Sequence, residues 1–477
     1  MSDPELADLS RSIRGSVLFE PGQVDRFQRD ASHLVGGARA VVRPEDPADV
    51  EALVRWSRRT KIPLVARGAG SSLEGESVPA RGSIVVDLAS WTQILGLDRP
   101  NRLVRVQPGV VNYELHQTLS GSGLFFPPNP GSWKMSTIGG NASTNASGPR
   151  SLRYGPTRQW VRSAEVVLGT GDRIPVGHRS PKRSAGPELL DWLIGSEGTL
   201  GLFTELTLRL AVAPAARSGL VVPLPEGLRL GEWSQRLLAR PDLTISALEF
   251  IDRASAHELA RRAGSRLPTD RDLALLEIES GIDGRDADLE RSLEVLRSLG
   301  ISEDPFVFPN ADQLWTLRGE SSVALDHAIG HRVREDVAVP VDRIDELLGS
   351  IRELATQENV PVYVFGHLGE GNFHPNYAVD PASAAADRIR ERLYERAHEL
   401  GGTLSAEHGI GILKAPYLAT EHGSVAVDLL WAVKRLFDPD QILNPGKLYP
   451  PGPSSVPTVP PPGSSPSDEV GDRTPGA

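Results

Sequence analysis

The stretch "VFGHLGEGNFHPNY" (364–377) sets two imidazoles, His367 and His374, on either side of a Gly-Glu-Gly-Asn core. Neutral imidazole is a metal ligand, and near neutral pH it is also a proton carrier. Whether the two rings can act together is a matter of geometry. On a straight strand, residues seven apart point to opposite faces. A tight turn centred on Glu370-Gly371 changes this. It sets Leu368 against Phe373 and His367 directly against His374, on one face, with Cβ atoms roughly 4.5–5.5 Å apart. Gly371 and Asn372 are residue types that tolerate the positive φ of such turns. The pair can then share a metal ion, although an ordinary hairpin with two surface histidines has the same local sequence.

The elements around this pair narrow the chemistry. The chain has 477 residues, enough for two or three domains and a large core. It contains no cysteine, which excludes disulfides, thiolate metal sites, iron–sulfur clusters and cysteine nucleophiles. Any metal must be held by histidine and carboxylate, which suits zinc, manganese or iron. The net charge of −11, without a basic run, argues against a nucleic-acid partner. No basic segment followed by an apolar one opens the chain, and no window approaches the roughly 20 apolar residues of a membrane span. The expectation is a soluble cytoplasmic protein, with peripheral membrane contact left open.

Short strands alternate with helices in the N-terminal half. "PEDPADVEALVRWSRRT" has Asp46 as N-cap, Pro47 at the first helical position, and Val50, Leu53 and Val54 spaced for one face. "IPLVA", "SIVVDL", "AEVVLGTG" and "TELTLRLAV" read as strands. Near residue 215, "APAARSGLVVPLPEG" reads as a boundary. Beyond it come a strand, "LALLEIE", and a helix ending in glycine, "ADLERSLEVLRSLG". A second helix, "AAADRIRERLYERAHELGG", aligns Ile389, Leu393, Ala397 and Leu400 and stops at Gly401. This pattern predicts an α+β domain with helices on one face of a mainly antiparallel sheet. The turn-rich "LFDPDQILNPGKLYP" is expected to pack back on the N-terminal part. Residues 451–477, rich in Pro, Ser and Gly, read as a disordered tail.

Three glycine-rich stretches remain. "ARGAGSSLEGESVP" (66–79) follows a strand, and Asp87 lies about twenty residues on, as in a dinucleotide fingerprint. That fingerprint needs a helix after the glycines, however, and here the next element is the strand "SIVVDL". What is left is a loop of small residues with free amides, able to cradle a pyrophosphate or to serve as a plain surface loop. "PPNPGSWKMSTIGGNASTNASGPRSLRYGP" (127–156) shows neither helical nor strand periodicity, and so long an irregular stretch is usually functional. "IGSEGTLGLFTELTLRL" (194–210) runs from glycines directly into a strand. Together the three suit an extended ligand with phosphates and a flat ring.

These motifs resemble the FAD-binding domain of the vanillyl-alcohol-oxidase, PCMH-type flavoproteins. "RGAGSSLEG" is similar to their pyrophosphate loop, "STIGGNASTNASGPRSLRYG" to the stretch beside the isoalloxazine, and "IGSEGTLG" to their third signature. "HLGEGNFH", "AEHGIG" and "DPDQILNPGKLYP" resemble the matching C-terminal oxidase domain. The order and spacing hold from about 34 to 450. Within the group the likeness is strongest to FAD-linked D-2-hydroxyacid dehydrogenases: D-lactate dehydrogenase, the glycolate oxidase catalytic subunit and D-2-hydroxyglutarate dehydrogenase. The implied architecture is α+β. It comprises an N-terminal segment (1–33), a two-subdomain FAD-binding domain (34–214), a substrate or cap domain (215–450) whose last segment returns to the FAD domain, and the tail.

The resemblance implies FAD contacts from Arg67, Gly68, Ala69, Gly70, Ser71 and Ser72. In the second stretch it implies Pro130, Gly131, Ser132, Thr137, Gly140, Asn141, Thr144, Asn145, Gly148, Tyr154 and Gly155. Glu197, Gly198, Leu202 and Asn444 complete the set. Some relatives attach FAD to a histidine in the first loop; Gly70-Ser71-Ser72 offers none, so the FAD is expected to be non-covalent. The resemblance also implies a divalent metal, zinc before manganese or iron, on His367, His374 and Glu407. Glu407 and His408 are adjacent, and their side chains are expected to diverge, one to the metal and one to the substrate. The implied reaction is oxidation of a D-2-hydroxy acid to the 2-oxo acid. The metal activates the hydroxyl, His408 removes its proton, and the Cα hydride goes to flavin N5. Arg318 and Arg334 stand where the family binds the substrate carboxylate, a task that suits guanidinium. A quinone, cytochrome or flavoprotein would accept the electrons, and an oligomer is compatible with all of this. Two departures stand out: Glu370 replaces the family's Asp, which is expected to shift the hairpin tip, and Arg334 stands where Lys is common. The rival readings are a transferase of the alkyl-dihydroxyacetonephosphate synthase type, whose consecutive histidines are missing here, and a phenol or sugar oxidase of the same fold.

Overall fold

The structure, a computed structural model, describes residues 3–264 and 267–450. The tail expected at 451–477 lies outside the described residues. Near the N-terminus, four strands form a sheet in the order Ser16–Leu18, Ala40–Arg43, Ile84–Asp87, Leu64–Arg67. The last three are parallel. Helix Pro47–Thr60 covers them: Asp46 accepts the N–H groups of Ala48 and Asp49, and Val50, Leu53, Val54 and Trp56 are buried. The glycine-rich connection from Leu64–Arg67 to Ile84–Asp87 contains no helix, so its amides stay free of a ladder.

A second, antiparallel sheet has the order Ile94–Asp98, Leu103–Val106, Gly201–Arg209, Val161–Leu168, Arg173–Gly177. Against it lies the stretch 127–156, which differs from its aperiodic reading. It contains the helices Ile138–Thr144 and Ser151–Tyr154. "IGGNAST" carries two glycines and no apolar stripe, so no period announces it. Tertiary contact overrides propensity here. Thr137 accepts the Gly140 N–H at 3.2 Å, and a Cβ at Gly139 would sit 2.6 Å from Pro108 Cβ.

The C-terminal half is built on a large antiparallel sheet. Its order is Phe306–Phe308, Ala216–Pro223, Leu273–Ser280, Ile245–Ile251, Val362–His367, Asn372–Tyr377, Val333–Arg334, and Val337–Ala338 also pairs with Asn372–Tyr377. The expectation of helices on one face needs correction, because both faces are covered. On one, Leu248, Phe250, Leu276 and Ile278 pack with Trp233, Leu296, Leu348 and Leu393 from four helices. On the other, Val221, Ile251, Leu273 and Leu275 pack with Ala256, Leu259, Leu314 and Leu325. The reason lies in "LALLEIES", which is buried at every position. Leu273 and Leu275 make the first half of its second face apolar, and Glu277 and Glu279 on the same face are buried against Arg150 and Arg217 rather than left in water.

The chain ends back on the first sheet, as expected. Leu64 N–H donates to Ile442 O at 2.8 Å, Asn444 N–H donates to Leu64 O at 2.7 Å, and Ile442 and Leu443 join the N-terminal core. No helix among the described residues is long and apolar enough to cross a membrane.

Candidate active site

Strands Val362–His367 and Asn372–Tyr377 form the hairpin that carries the two histidines. Its register corrects the expected one: His374 pairs with Phe365, and His367 pairs with Asn372. The turn is centred one residue earlier, because Leu368–Glu370 make a 3-10 turn and Gly371 alone takes positive φ, +69°. Asn372 is in the strand, and its amide donates to Asp336 Oδ1 at 2.7 Å. The pairing moves by two residues, an even shift, so the two imidazoles keep a common face as diagonal neighbours. Their ring centroids are 5.3 Å apart.

Glu407 meets both rings. Its Oε1 lies 3.2 Å from His367 Nε2 and 3.3 Å from His374 Nε2. His408 does not diverge from it as expected. Its ring stacks on His374 at 4.9 Å with an interplanar angle of 9°, and its Nε2 is 3.8 Å from Glu407 Oε1. The backbone explains this. Residues 406–408 form a bend, not a strand, around Asp336 Oδ2, which accepts the N–H groups of Ala406, Glu407 and His408 at 2.9, 2.8 and 2.8 Å. Successive side chains therefore fan out to one side.

Two buried carboxylates missing from the sequence reading stand behind the histidines. Glu249 hydrogen-bonds His367 Nδ1 through Oε1, and Asp336 Oδ1 lies 3.6 Å from His374 Nδ1. A carboxylate hydrogen-bonded behind an imidazole fixes its ring and raises its basicity, as Glu249 does for His367; Asp336 acts on His374 through its charge alone, since His374 Nδ1 has no hydrogen-bond partner. Glu249 has a signal in the sequence, an acid inside the apolar strand "ISALEFI". Asp336 precedes "VAVP" and has a weaker one.

The charges follow from these neighbours. Burial by itself lowers an imidazole; at His367 the Glu249 and Glu407 carboxylates outweigh it and raise the group well above the usual range. At His374 burial wins and the group is lowered. Burial favours a neutral Glu407, but His367 and His374 hold it well below the usual carboxylate range. At His408 burial is outweighed by Asp336 and Glu74, and the group is raised.

The donor set fits a small cation. The ligand atoms of His367, His374 and Glu407 all lie within 4.8 Å of one another, and Glu407 Oε2 is buried without a hydrogen-bond partner. The 3.2 and 3.3 Å separations match the edge of a tetrahedron with metal–ligand bonds of roughly 2.0–2.2 Å.

These residues border a cavity of about 720 Å³ that also runs along all three glycine-rich stretches. Arg67, Gly68, Ala69, Gly70, Ser71, Ser72, Pro130, Gly131, Ser132, Thr137, Gly140, Asn141, Thr144, Glu197, Gly198 and Leu202 line it. The lining suits a bulky anion with a flat ring. A Cβ at Gly68 would lie 2.2 Å from Thr137 Oγ1, while Arg67 Nη1 and Asn141 Nδ2 are buried with no partner. Five expected contacts are not on the wall; four of them have identifiable structural tasks. Asn145 caps its helix in the left-handed region and accepts the Arg158 N–H. A Cβ at Gly148 would strike Asn129 O at 2.4 Å. Tyr154 OH donates to the Glu279 carboxylate. Asn444 donates to Glu76 O and Glu197 O, tying two of the loops together. The fifth, Gly155, takes φ +73° after the helix.

Arg318 and Arg334 also border the cavity. Arg318 Nε donates to Glu249 Oε2 at 3.0 Å, and its guanidinium lies over the Phe365 ring at 4.6 Å. Arg334 Nη2 donates to Asp326 Oδ1 at 2.6 Å.

Residues 38–177 match the family described as FAD binding domain, and residues 214–448 match FAD linked oxidases, C-terminal domain. The chain belongs to the FAD-linked oxidases. It is 33% identical to the glycolate oxidase subunit GlcD of Bacillus subtilis over 86% of this chain and 88% of that one. It is 32% identical to a D-lactate dehydrogenase of Anaerostipes hadrus, over 93% and 97%, and 31% identical to a D-2-hydroxyglutarate dehydrogenase of Stutzerimonas stutzeri, over 94% and 100%. Among solved structures, p-cresol methylhydroxylase with substrate bound superimposes with TM-score 0.75 at 15% identity, over 94% of this chain and 97% of that one. An alkyldihydroxyacetonephosphate synthase superimposes with TM-score 0.71 at 16% identity, over 93% and 85%. At such identities these two share the fold, and the transferase is only a distant neighbour.

Proposed function

We propose that this FAD-linked oxidase converts a D-2-hydroxy acid of the lactate type into the 2-oxo acid. The observation that carries the reading is one cavity bordered by glycine-rich loops, by the His367–His374–Glu407 set with His408 stacked beside it, and by two arginines. The names of the relatives, D-lactate dehydrogenase, D-2-hydroxyglutarate dehydrogenase and a glycolate oxidase subunit, support the substrate class.

FAD, held non-covalently by the residues of the three loops, supplies the two-electron acceptor when bound. A divalent metal on His367, His374 and Glu407, zinc before manganese or iron, supplies Lewis-acid polarisation of the substrate hydroxyl. His408 accepts the hydroxyl proton. Arg318 and Arg334 pair with the substrate carboxylate and orient the carbon to be oxidised. Glu249 positions both His367 and Arg318, so one buried acid aligns the metal side and the carboxylate side of the substrate. A quinone, cytochrome or flavoprotein is the kind of electron acceptor this chemistry needs.

The test is an anaerobic titration followed in the visible spectrum. D-lactate, L-lactate, glycolate and D-2-hydroxyglutarate are added in turn, with and without prior chelation. The expected result is bleaching by a D-hydroxy acid or glycolate, not by L-lactate, and loss of that bleaching after chelation. A flavin spectrum left untouched by every hydroxy acid overturns the reading.

A further inference from the structure

Helix Leu418–Phe437 is interrupted at Gly423, where φ is +72° and ψ 165°. Beyond the break it runs for about 20 Å. Its inner side is fixed in the protein by buried Lys434 and Phe437 and by the Trp431 ring, 4.9 Å from Tyr449. Its outer side carries Val425, Leu429 and Leu436, which are 74%, 64% and 75% exposed, with exposed Ala432 between them. The spacing is four, three, four. At 100° per residue these four positions fall within a 60° stripe, the narrow seam of a two-helix coiled coil. Asp428 and Arg435 flank the stripe on one side. Both are exposed, and neither has an ion-pair partner among the described residues.

We propose that this stripe is a homodimer interface in which the helix packs antiparallel against the same helix of a second copy. The pattern is its own complement under a two-fold axis between residues 430 and 431. That axis sets Val425 against the partner's Leu436 and Leu429 against the partner's Ala432, large beside small. It also brings Asp428 next to the partner's Arg435, and Arg435 next to the partner's Asp428. An isologous interface demands this reciprocity, and an acid and a base seven residues apart on one flank satisfy it twice. Ala426 and Val433, on the other flank, are partly covered by the protein's own body, so the exposed flank is the one that carries Asp428 and Arg435.

The test is sedimentation equilibrium of the full FAD-loaded chain over a range of concentrations. The expected species has twice the 51.4 kDa of the chain. Asp428→Arg and Arg435→Asp, each alone, place like charges opposite each other and should weaken the dimer at least about tenfold. Mixing the two single variants, or combining both changes in one chain, restores opposite charges and should restore the dimer. Leu429→Lys should give monomer with an unchanged circular dichroism spectrum, since the side chain is exposed. A monomeric parent at all concentrations overturns the proposal, whether or not that monomer binds vesicles or another protein. A dimer indifferent to all of these changes also overturns it, because the interface then lies elsewhere. Weakening by the single reversals without rescue on mixing overturns the antiparallel register.

Discussion

Replacing Arg150 with methionine removes the main partner of a carboxylate that has no contact with water. Glu277 is fully buried in the C-terminal sheet, and Arg150 reaches it from the second glycine-rich stretch beside the large cavity. The guanidinium donates from Nε and Nη2 to Glu277 Oε1 and Oε2 at 2.8 and 2.9 Å. Burial by itself would raise the Glu277 carboxyl. Arg150, with help from Arg217 and the Trp315 N–H, overrides it and holds the group down at about 2 from an ordinary 4.5. At 1.36 kcal/mol per unit, that fall corresponds to about 3 kcal/mol. Breaking a buried pair by removing one partner costs about 3–5 kcal/mol, because the remaining charge is stranded. Arg150→Met should therefore lose about 3 kcal/mol in urea unfolding at pH 7, and Arg150→Met with Glu277→Gln should regain more than half of it. The pH dependence has a definite sign. A carboxyl with a lowered folded-state pKa stabilises the protein above 4.5, and this contribution is lost as pH falls towards 2. The gap between parent and Arg150→Met should then narrow on acidification. A single variant within about 0.5 kcal/mol of the parent at pH 7 would refute the reasoning.

On the proposed reading, Glu249→Gln should lower metal affinity by about 10–100-fold, measured as metal retained after graded chelation, while FAD content stays unchanged. Asp336→Ala frees three backbone N–H groups at once and should reduce both metal retention and turnover; Asp336→Asn, which keeps one acceptor oxygen, should fall between it and the parent in both assays. His408→Gln should cost about 10²–10⁴ in kcat and leave the visible spectrum of the bound flavin intact; retention of full activity would remove His408 from its proposed role. Gly371→Ala forces a Cβ onto Val339 O at 2.1 Å in a left-handed turn, so a loss of at least about 1–3 kcal/mol of stability is expected from thermal unfolding.

Much of the fold was legible because its signals are local. Asp46-Pro47 announced a helix start, Gly401 a helix end, and Gly/Ser-rich 68–83 a connection without a helix. The helix Ile138–Thr144 was not legible, because its cause is packing against Pro108 rather than its own residues. The site divides the same way. His367 and His374 were readable as a pair from one hairpin, and the common face survived a wrong register only because the error was even. Glu249 and Asp336 were not readable as their partners. Glu249 is 118 residues from His367, and no local pattern encodes a contact across that distance. The covered second face of the large sheet was visible only in part in "LALLEIES": Leu273 and Leu275 on that face need cover, but Glu277 and Glu279 on the same face read as solvent-facing.

The amide of Asn444 ties Glu76 O to Glu197 O, and the two loops it joins line the large cavity. Asn444 is 247 residues beyond Glu197. A ribosome making 5–20 residues per second needs roughly 12–50 s to cover that distance. Throughout that interval the emerging chain has every glycine of the three glycine-rich loops, proposed above to hold FAD, but not the side chain that joins two of them. Saturating FAD is therefore expected to protect the finished polypeptide from proteolysis far better than a nascent one stalled at residue 400.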